Sequence, residues 1–140
     1  MNKYNNKKTI VDAIIFDSKD EAKYYELLKA KRAAGEIKNF ELQPRFTLQD
    51  ADKDLKLRKV EYVADFLIYH NYEMDEVVDI KGMATETALL KRKWFMYTYR
   101  YCKLTWLCRS LKYGDKDGWI EYDELKKRRR RINGTSTTSI

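Results

Sequence analysis

The stretch EYVADFLIYHNYEMDEVVDIKG, residues 61–82, decides the fold. It reads as two apolar strands joined by a short loop, yet the first carries Asp65 and the second carries Asp79 and Lys81. Strand side chains alternate between the two faces of a sheet. Asp65 therefore shares a face with Val63 and Leu67, while Asp79 and Lys81 share one with Val77. A hairpin centred on Tyr72 sets Asp65 directly opposite Asp79, with the side chains roughly 5 Å apart. Two carboxylates that close repel each other and are costly to bury as ions. A divalent cation between them removes the repulsion. Mg²⁺ suits the position, because it takes oxygen ligands, keeps several waters and needs only one or two carboxylates beside a substrate phosphate. Lys81, one pleat beyond Asp79, can orient or help deprotonate a metal-bound water, or stabilise charge in a transition state. The structural alternative is a salt-bridged trio at a sheet edge.

Outward from this hairpin the chain alternates helix and strand signals. Upstream, TIVDAIIFD reads as a short strand that leads into SKDEAKYYELLKAKRAAGE. Ser18 followed by Glu21 is a capping-box pattern, so a helix starts there, and Gly35 ends it. Glu21, Tyr25, Leu28 and Arg32 fall on one helical face, which leans the Glu21 carboxylate toward the sheet. Either the cap or the site accounts for this glutamate. Next, IKNFELQPRFTLQ reads as a strand interrupted at Pro44, and ADKDLKLRK as a charged loop. Downstream, TETALLKRKWFMYTYRY has helical spacing, with Leu90, Trp94, Tyr97 and Tyr101 as its stripe. KLTWLCRSL is a further strand, YGDKDG a turn, and EYDELKKRRRR a short helix ending in a basic run.

The expected architecture is an α/β domain with a mixed sheet. It runs helix, three-strand antiparallel meander, helix, parallel strand. The strand–helix–strand crossover is what makes the last strand parallel to its neighbour. Residues 1–125 form the domain, and residues 126–140 a basic, disordered C-terminal tail.

Composition bounds the function. The chain has 140 residues and a formal net charge of +7, six of which lie in the run KKRRRR at 126–131, leaving +1 for the rest. A patch of that kind suits a polyanion. It also serves solubility alone. No apolar run reaches the roughly 20 residues that span a bilayer, and the N-terminus lacks a signal-peptide centre; a cytoplasmic protein with no membrane partner is the expectation. Cys102 and Cys108, with one histidine in the chain, make no zinc pattern. The segment YGDKDGWIEYDEL imitates a calcium loop, but Tyr113 stands where the first ligand acid is required.

Asp65, then Asp79-Ile80-Lys81, resembles the signature of the PD-(D/E)xK nuclease superfamily, with Ala64 in place of the usual proline. The segments FDSKDEAKYYELLKAKRAAGEIKNFELQPRF, EYVADF, EVVDIKG and LLKRK resemble small phage proteins related to endonuclease I-type and archaeal-type Holliday junction resolvases. The likeness runs from about Phe16 to about Arg100. It implies a restriction-endonuclease-like core and a Mg²⁺-dependent endonuclease, with Mn²⁺ able to substitute. By the same resemblance Asp65 and Asp79 hold the metal, Glu21 contributes to the metal site, and Lys81 is the catalytic lysine. Lys91 or Lys93, on the second helix, faces phosphate. Lys126, Lys127, Arg128, Arg129, Arg130 and Arg131 join them as expected backbone contacts to DNA. A resolvase cuts paired strands, so a homodimer acting on four-way DNA is expected. The alternatives are a nicking or repair-type nuclease on flaps or mismatches, and a non-catalytic nucleic-acid-binding module on the same fold.

Overall fold

The structure is a computed structural model that describes residues 7–137, with side chains through residue 132. The chain begins with β1 (Thr9–Val11), β2 (Ile14–Phe16), α1 (Lys19–Ala33), β3 (Asn39–Leu42) and β4 (Arg45–Gln49). It continues with β5 (Val60–Val63), β6 (Phe66–Tyr69), β7 (Glu76–Ile80) and α2 (Glu86–Thr98). The last elements are β8 (Lys103–Arg109), β9 (Trp119–Glu121) and α3 (Tyr122–Thr137). Five strands form one mixed sheet in the order β3-β6-β7-β8-β9. The fold is therefore α/β with a mixed sheet. No described helix is long and apolar enough to cross a membrane.

The centre of the sheet follows the sequence reading. Phe66 pairs with Val78, Leu67 with Val77 and Ile68 with Glu76, the register of an antiparallel hairpin centred on Tyr72. Beyond it, α2 carries the chain over to β8, which lies parallel to β7 with Val78 opposite Thr105 and Asp79 opposite Trp106. The alternation of β7 sorts the layers. Val78 joins Phe66 and Ile68 in a core with Tyr24, Tyr25 and Leu28 of α1. Val77 points the other way, into a core with Tyr62 and the fully buried Phe95 of α2. Trp106, Cys108 and Ile120 extend that second side beneath Tyr122 and Leu125 of α3.

Helix α1 starts where its cap dictates: the Glu21 N–H donates to Ser18 Oγ at 3.1 Å. It ends at Gly35, whose φ of 74° lets the Gly35 and Glu36 N–H groups turn back to the carbonyls of Arg32 and Lys31.

Besides β9, a strand the sequence did not announce, four features depart from the sequence expectation. First, the single strand expected over residues 60–70 is two, broken at Ala64–Asp65. Pro44 interrupts the facing strand, and the two interruptions are bonded to each other: the Ala64 N–H donates to the Pro44 carbonyl at 3.1 Å, and the Gln43 N–H to the Asp65 carbonyl at 2.9 Å. Gln43 takes a φ of 48° to make the corner. As a result β4 and β5 leave the main sheet as a separate two-stranded ribbon. Asp65, just outside β6, takes its direction from the corner rather than from the pleat that would have aligned it with Val63 and Leu67.

Second, TIVDAIIFD is a hairpin, with Ile10 paired to Ile15. Its turn residues Asp12 and Ala13 have φ of 52° and 63°, a geometry that matches strand twist but that glycine or asparagine usually supplies. Here the Asp12 carboxylate is tied to α1, accepting from the Tyr25 hydroxyl at 2.8 Å and from Lys29 at 2.5 Å.

Third, the stripe expected on α2 is only partly the buried one. Phe95 is fully buried, Tyr99 stacks on it and Trp94 packs half-buried against the same core, whereas Leu90, Tyr97 and Tyr101 are exposed. Phe46 of the ribbon packs edge-on against both Phe95 and Tyr99, which fixes the inward face.

Fourth, α3 carries the run at 126–131, as the reading of EYDELKKRRRR as a helix expected, but it continues to Thr137, past the point where that helix was expected to end. Leu125 and Tyr122 anchor its first turns in the core, and Glu124 accepts from Arg128 one turn on, at 3.2 Å. The end of the expected C-terminal tail, residues 138–140, lies outside the described residues.

Candidate active site

The corner at Ala64–Asp65 and the end of β7 bring the two aspartates together. Their main chains lock them reciprocally. The Asp65 N–H donates to Asp79 Oδ1 at 2.9 Å, and the Ile80 N–H donates to Asp65 Oδ2 at 2.8 Å. The Tyr62 hydroxyl donates to Asp79 Oδ2. Of the four carboxylate oxygens, three therefore accept from fixed donors. Among the described residues no donor reaches the fourth, Asp65 Oδ1.

Lys81 places its ammonium 4.0 Å from Asp79 Oδ2, a charge contact longer than a hydrogen bond. The same ammonium lies 4.8 Å from the ring centre of Trp106, within cation–π range. Glu21 comes from α1. It lines a cavity of about 140 Å³ with Asp65, Gln43 and Phe66, and a cleft of about 450 Å³ with Lys81, Ser18 and Asp20. Glu21, Asp65, Asp79 and Lys81 thus meet at one end of the sheet, as the sequence reading expected. The capping question is answered in part: Ser18 accepts from the Glu21 main chain, and the Glu21 carboxyl lines both cavities while also taking hydrogen bonds from the cap region, from the Asp17 main chain and Ser18.

The electrostatics are those of crowded acids. Burial, then the charge of Asp79, then that of Glu21, push the Asp65 carboxyl up to about 8. Burial, then the charge of Asp17, push Glu21 up to about 7. Burial raises Asp79 as well, opposed by Lys81 and by the bonds from Tyr62 and the Asp65 main chain. The donor pattern agrees with this order. Asp79 has both oxygens committed to donors, so the proton that the pair retains falls on Asp65.

This arrangement makes a prediction about stability. A carboxyl whose folded pKa lies above its unfolded value contributes stability below the unfolded value and loses it as pH rises through the folded one. The metal-free protein should therefore melt at progressively lower temperature as pH rises from the ordinary carboxylate range up to about 7 and about 8, and level off above. Asp65→Asn should flatten that slope, by roughly 5 °C at the alkaline end. Identical melting curves across pH for the two proteins would remove the assignment.

Among the described residues no three His, Cys, Asp or Glu side chains gather into a ligand cluster. What is present is a pair of hard oxygen donors with one uncommitted oxygen and a surplus of negative charge. That set fits Mg²⁺ or Mn²⁺, which accept two carboxylates and complete their shell with water. It does not fit zinc, since His70 is occupied by Glu76 at 2.8 Å near the other end of β7.

Around the pair lie residues that the sequence reading did not single out. Trp106 enters from β8 opposite Asp79, and its Nε1 donates to the Tyr62 hydroxyl at 2.9 Å. Arg92 stands over the Trp106 ring at 4.2 Å and pairs with Asp123 of α3 at 2.9 Å. Of the two α2 lysines expected to face phosphate, Lys91 is half-buried and Lys93 is exposed. Lys93 lines a cleft of about 390 Å³ with Arg92, Trp106 and Asp123. One signal for Trp106 was available: a strand parallel to β7 must put one residue of its apolar run beside Asp79. Tyr62 had none, because its approach depends on the corner at Ala64.

A family described as a protein of unknown function (DUF1064) matches residues 1–115. The chain belongs to the DUF1064 family. The family's match spans both aspartates, Glu21, Lys81, Tyr62 and Trp106, and ends before the basic run of α3. Among curated proteins none is significantly similar to the chain.

Proposed function

We propose that this DUF1064 chain is a metal-dependent endodeoxyribonuclease of the PD-(D/E)xK type, built on a restriction-endonuclease-like core, and that it acts on branched DNA as a junction resolvase. One observation carries the reading. Asp65 and Asp79 are held face to face by each other's main-chain neighbourhood, Asp79 buried and Asp65 half-buried, where burial raises both carboxyls, and Lys81 stands beside them at the mouth of a cleft. Phosphate binding alone gains nothing from buried acids, so a plain nucleic-acid-binding scaffold leaves them unexplained.

Asp65 and Asp79 would hold Mg²⁺ or Mn²⁺. When bound, such an ion supplies Lewis acidity and a water acidic enough to attack phosphorus near neutral pH. The chain's own groups do the rest. As a ligand Asp65 would act as the carboxylate, its proton released to solvent. Lys81 sets its ammonium against the charge that grows on the phosphoryl oxygens, and Trp106 limits where that ammonium can go. Glu21 faces the same cleft and closes it to a second anion. Lys93 and the α3 run at 126–131 are exposed cations that can neutralise phosphates.

The test uses labelled linear, flap, mismatched and four-way DNA, with and without Mg²⁺. Mg²⁺-dependent paired incisions in the four-way substrate, tighter binding to it than to linear duplex, and a dimer by light scattering are the expected results. The exposed Leu90 and Tyr97 of α2, with Tyr101 in the turn that follows, are the surface offered for that dimer. A monomer that nicks flaps or mismatches equally well would replace the resolvase reading with the repair-type one. Failure to cut any substrate, with no Mn²⁺ bound in competition with Mg²⁺, would leave a non-catalytic module.

A further inference from the structure

An indole N–H can only donate, whereas a phenol hydroxyl has one proton to give and lone pairs to receive. Trp106 Nε1 donates to the Tyr62 hydroxyl at 2.9 Å, so that hydroxyl has its single proton left for Asp79 Oδ2, to which it is bonded. The direction of the chain is therefore fixed at its far end. Trp106 and Tyr62 are both buried, and neither hydrogen bond competes with water. The Tyr62 ring is itself clamped, 5.1 Å from Phe95, and Trp106 meets Tyr122 edge-on at 5.4 Å.

We infer that Trp106 and Tyr62 are positioning residues: a one-way, buried relay of hydrogen bonds that holds the Asp79 carboxylate in a single rotamer, with a lone pair of each oxygen left for a divalent cation. Tyr62 orients Asp79 directly. Trp106 acts through Tyr62 at its edge and, by the face of its ring, confines the Lys81 ammonium. Groups that orient a metal-binding side chain typically matter by 10–100-fold in metal affinity or rate. The inference rests on the nuclease reading of the Asp65/Asp79 pair and adds residues that reading does not need.

Tyr62→Phe removes one oxygen and keeps the ring that packs on Phe95, so the fold should survive; a melting curve within a few degrees of wild type verifies this. Mn²⁺ binding, read by electron paramagnetic resonance of the free ion, should weaken by roughly 10–100-fold. Cleavage should fall through kcat, with KM for DNA unchanged, because the hydroxyl does not face the cleft. Trp106→Phe should weaken Mn²⁺ in the same direction. In the double variant the two losses should not add, since both act through one hydroxyl. A merely structural pair would lower stability and leave Mn²⁺ affinity unchanged. Wild type and Tyr62→Phe binding Mn²⁺ equally would overturn the relay and leave the nuclease reading standing. A wild-type protein that binds no Mn²⁺ would overturn both.

Discussion

Asp65→Asn and Asp79→Asn are each expected to lower DNA cleavage by roughly 10³-fold or more, while DNA affinity stays within a few-fold. The reason lies in what each group touches. Both carboxylates are bonded to main-chain N–H groups, Asp79 is 3% exposed, and a carboxylate is repelled by phosphate, so neither contributes to holding the DNA backbone. Removing either charge halves the anionic pair that a cation would bridge.

The two variants should part company in stability. In Asp65→Asn the amide oxygen can still accept from Ile80, the NH₂ group takes the uncommitted place, and the repulsion from Asp79 is gone. That protein should be at least as stable as wild type, a gain bought with activity. In Asp79→Asn both original oxygens face donors, Tyr62 on one side and the Asp65 N–H on the other. An amide turned either way sets an N–H against a donor, which leaves a buried group unsatisfied at a cost of about 1–3 kcal/mol. Cleavage assays, filter binding and melting curves on the two variants check all three parts. Wild-type turnover in either variant would remove the mechanism.

The second large effect concerns α3. Replacing Lys126, Lys127, Arg128, Arg129, Arg130 and Arg131 by glutamine takes away six positive charges, nearly all of the net +7. If these side chains neutralise phosphates, the slope of log K against log salt should flatten by about 0.9 for each phosphate no longer neutralised. Duplex affinity at moderate salt should then fall by roughly 10³-fold or more. The substitution is better than truncation here, because the run is helical and follows directly on the buried Leu125. Cleavage at saturating DNA should be little changed, since the helix supplies none of Asp65, Asp79 or Lys81. An unaltered salt slope would assign the run to solubility.

Much of the site was legible because it depends on local rules. Two strands with a short loop fix a register that brings Asp65 and Asp79 to the same end of the hairpin, although the direction of the Asp65 side chain is set by the corner at Ala64, which the register does not contain. Ser18 places Glu21, since a cap determines which residue begins the first turn. The parallel β8 follows from the length of the crossover. Features that depend on contacts between distant segments were not legible. The stripe of α2 was partly misassigned because its turns carry large apolar residues on every side, so periodicity alone could not choose; Phe46, from a ribbon more than forty residues upstream, makes the choice. β9 was missed for a related reason, as three residues, Trp119–Glu121, become a strand only by pairing with Leu107 to Arg109. The Asp12–Ala13 turn was hidden because Tyr25 and Lys29 hold a conformation that its own residues do not favour.

The corner at Pro44 and Ala64 has a mechanical meaning. Beyond it the β4–β5 ribbon leaves the main sheet and seats on α2, with Phe46 against Phe95 and Tyr99. The joint is the pair of main-chain bonds that Ala64 and Gln43 make to Pro44 and Asp65. Asp65 sits inside that joint: its carbonyl is gripped by Gln43 just past the end of β3, and its N–H and carboxylate are gripped by β7. One residue is thus both a hinge pin between ribbon and sheet and a member of the acid pair.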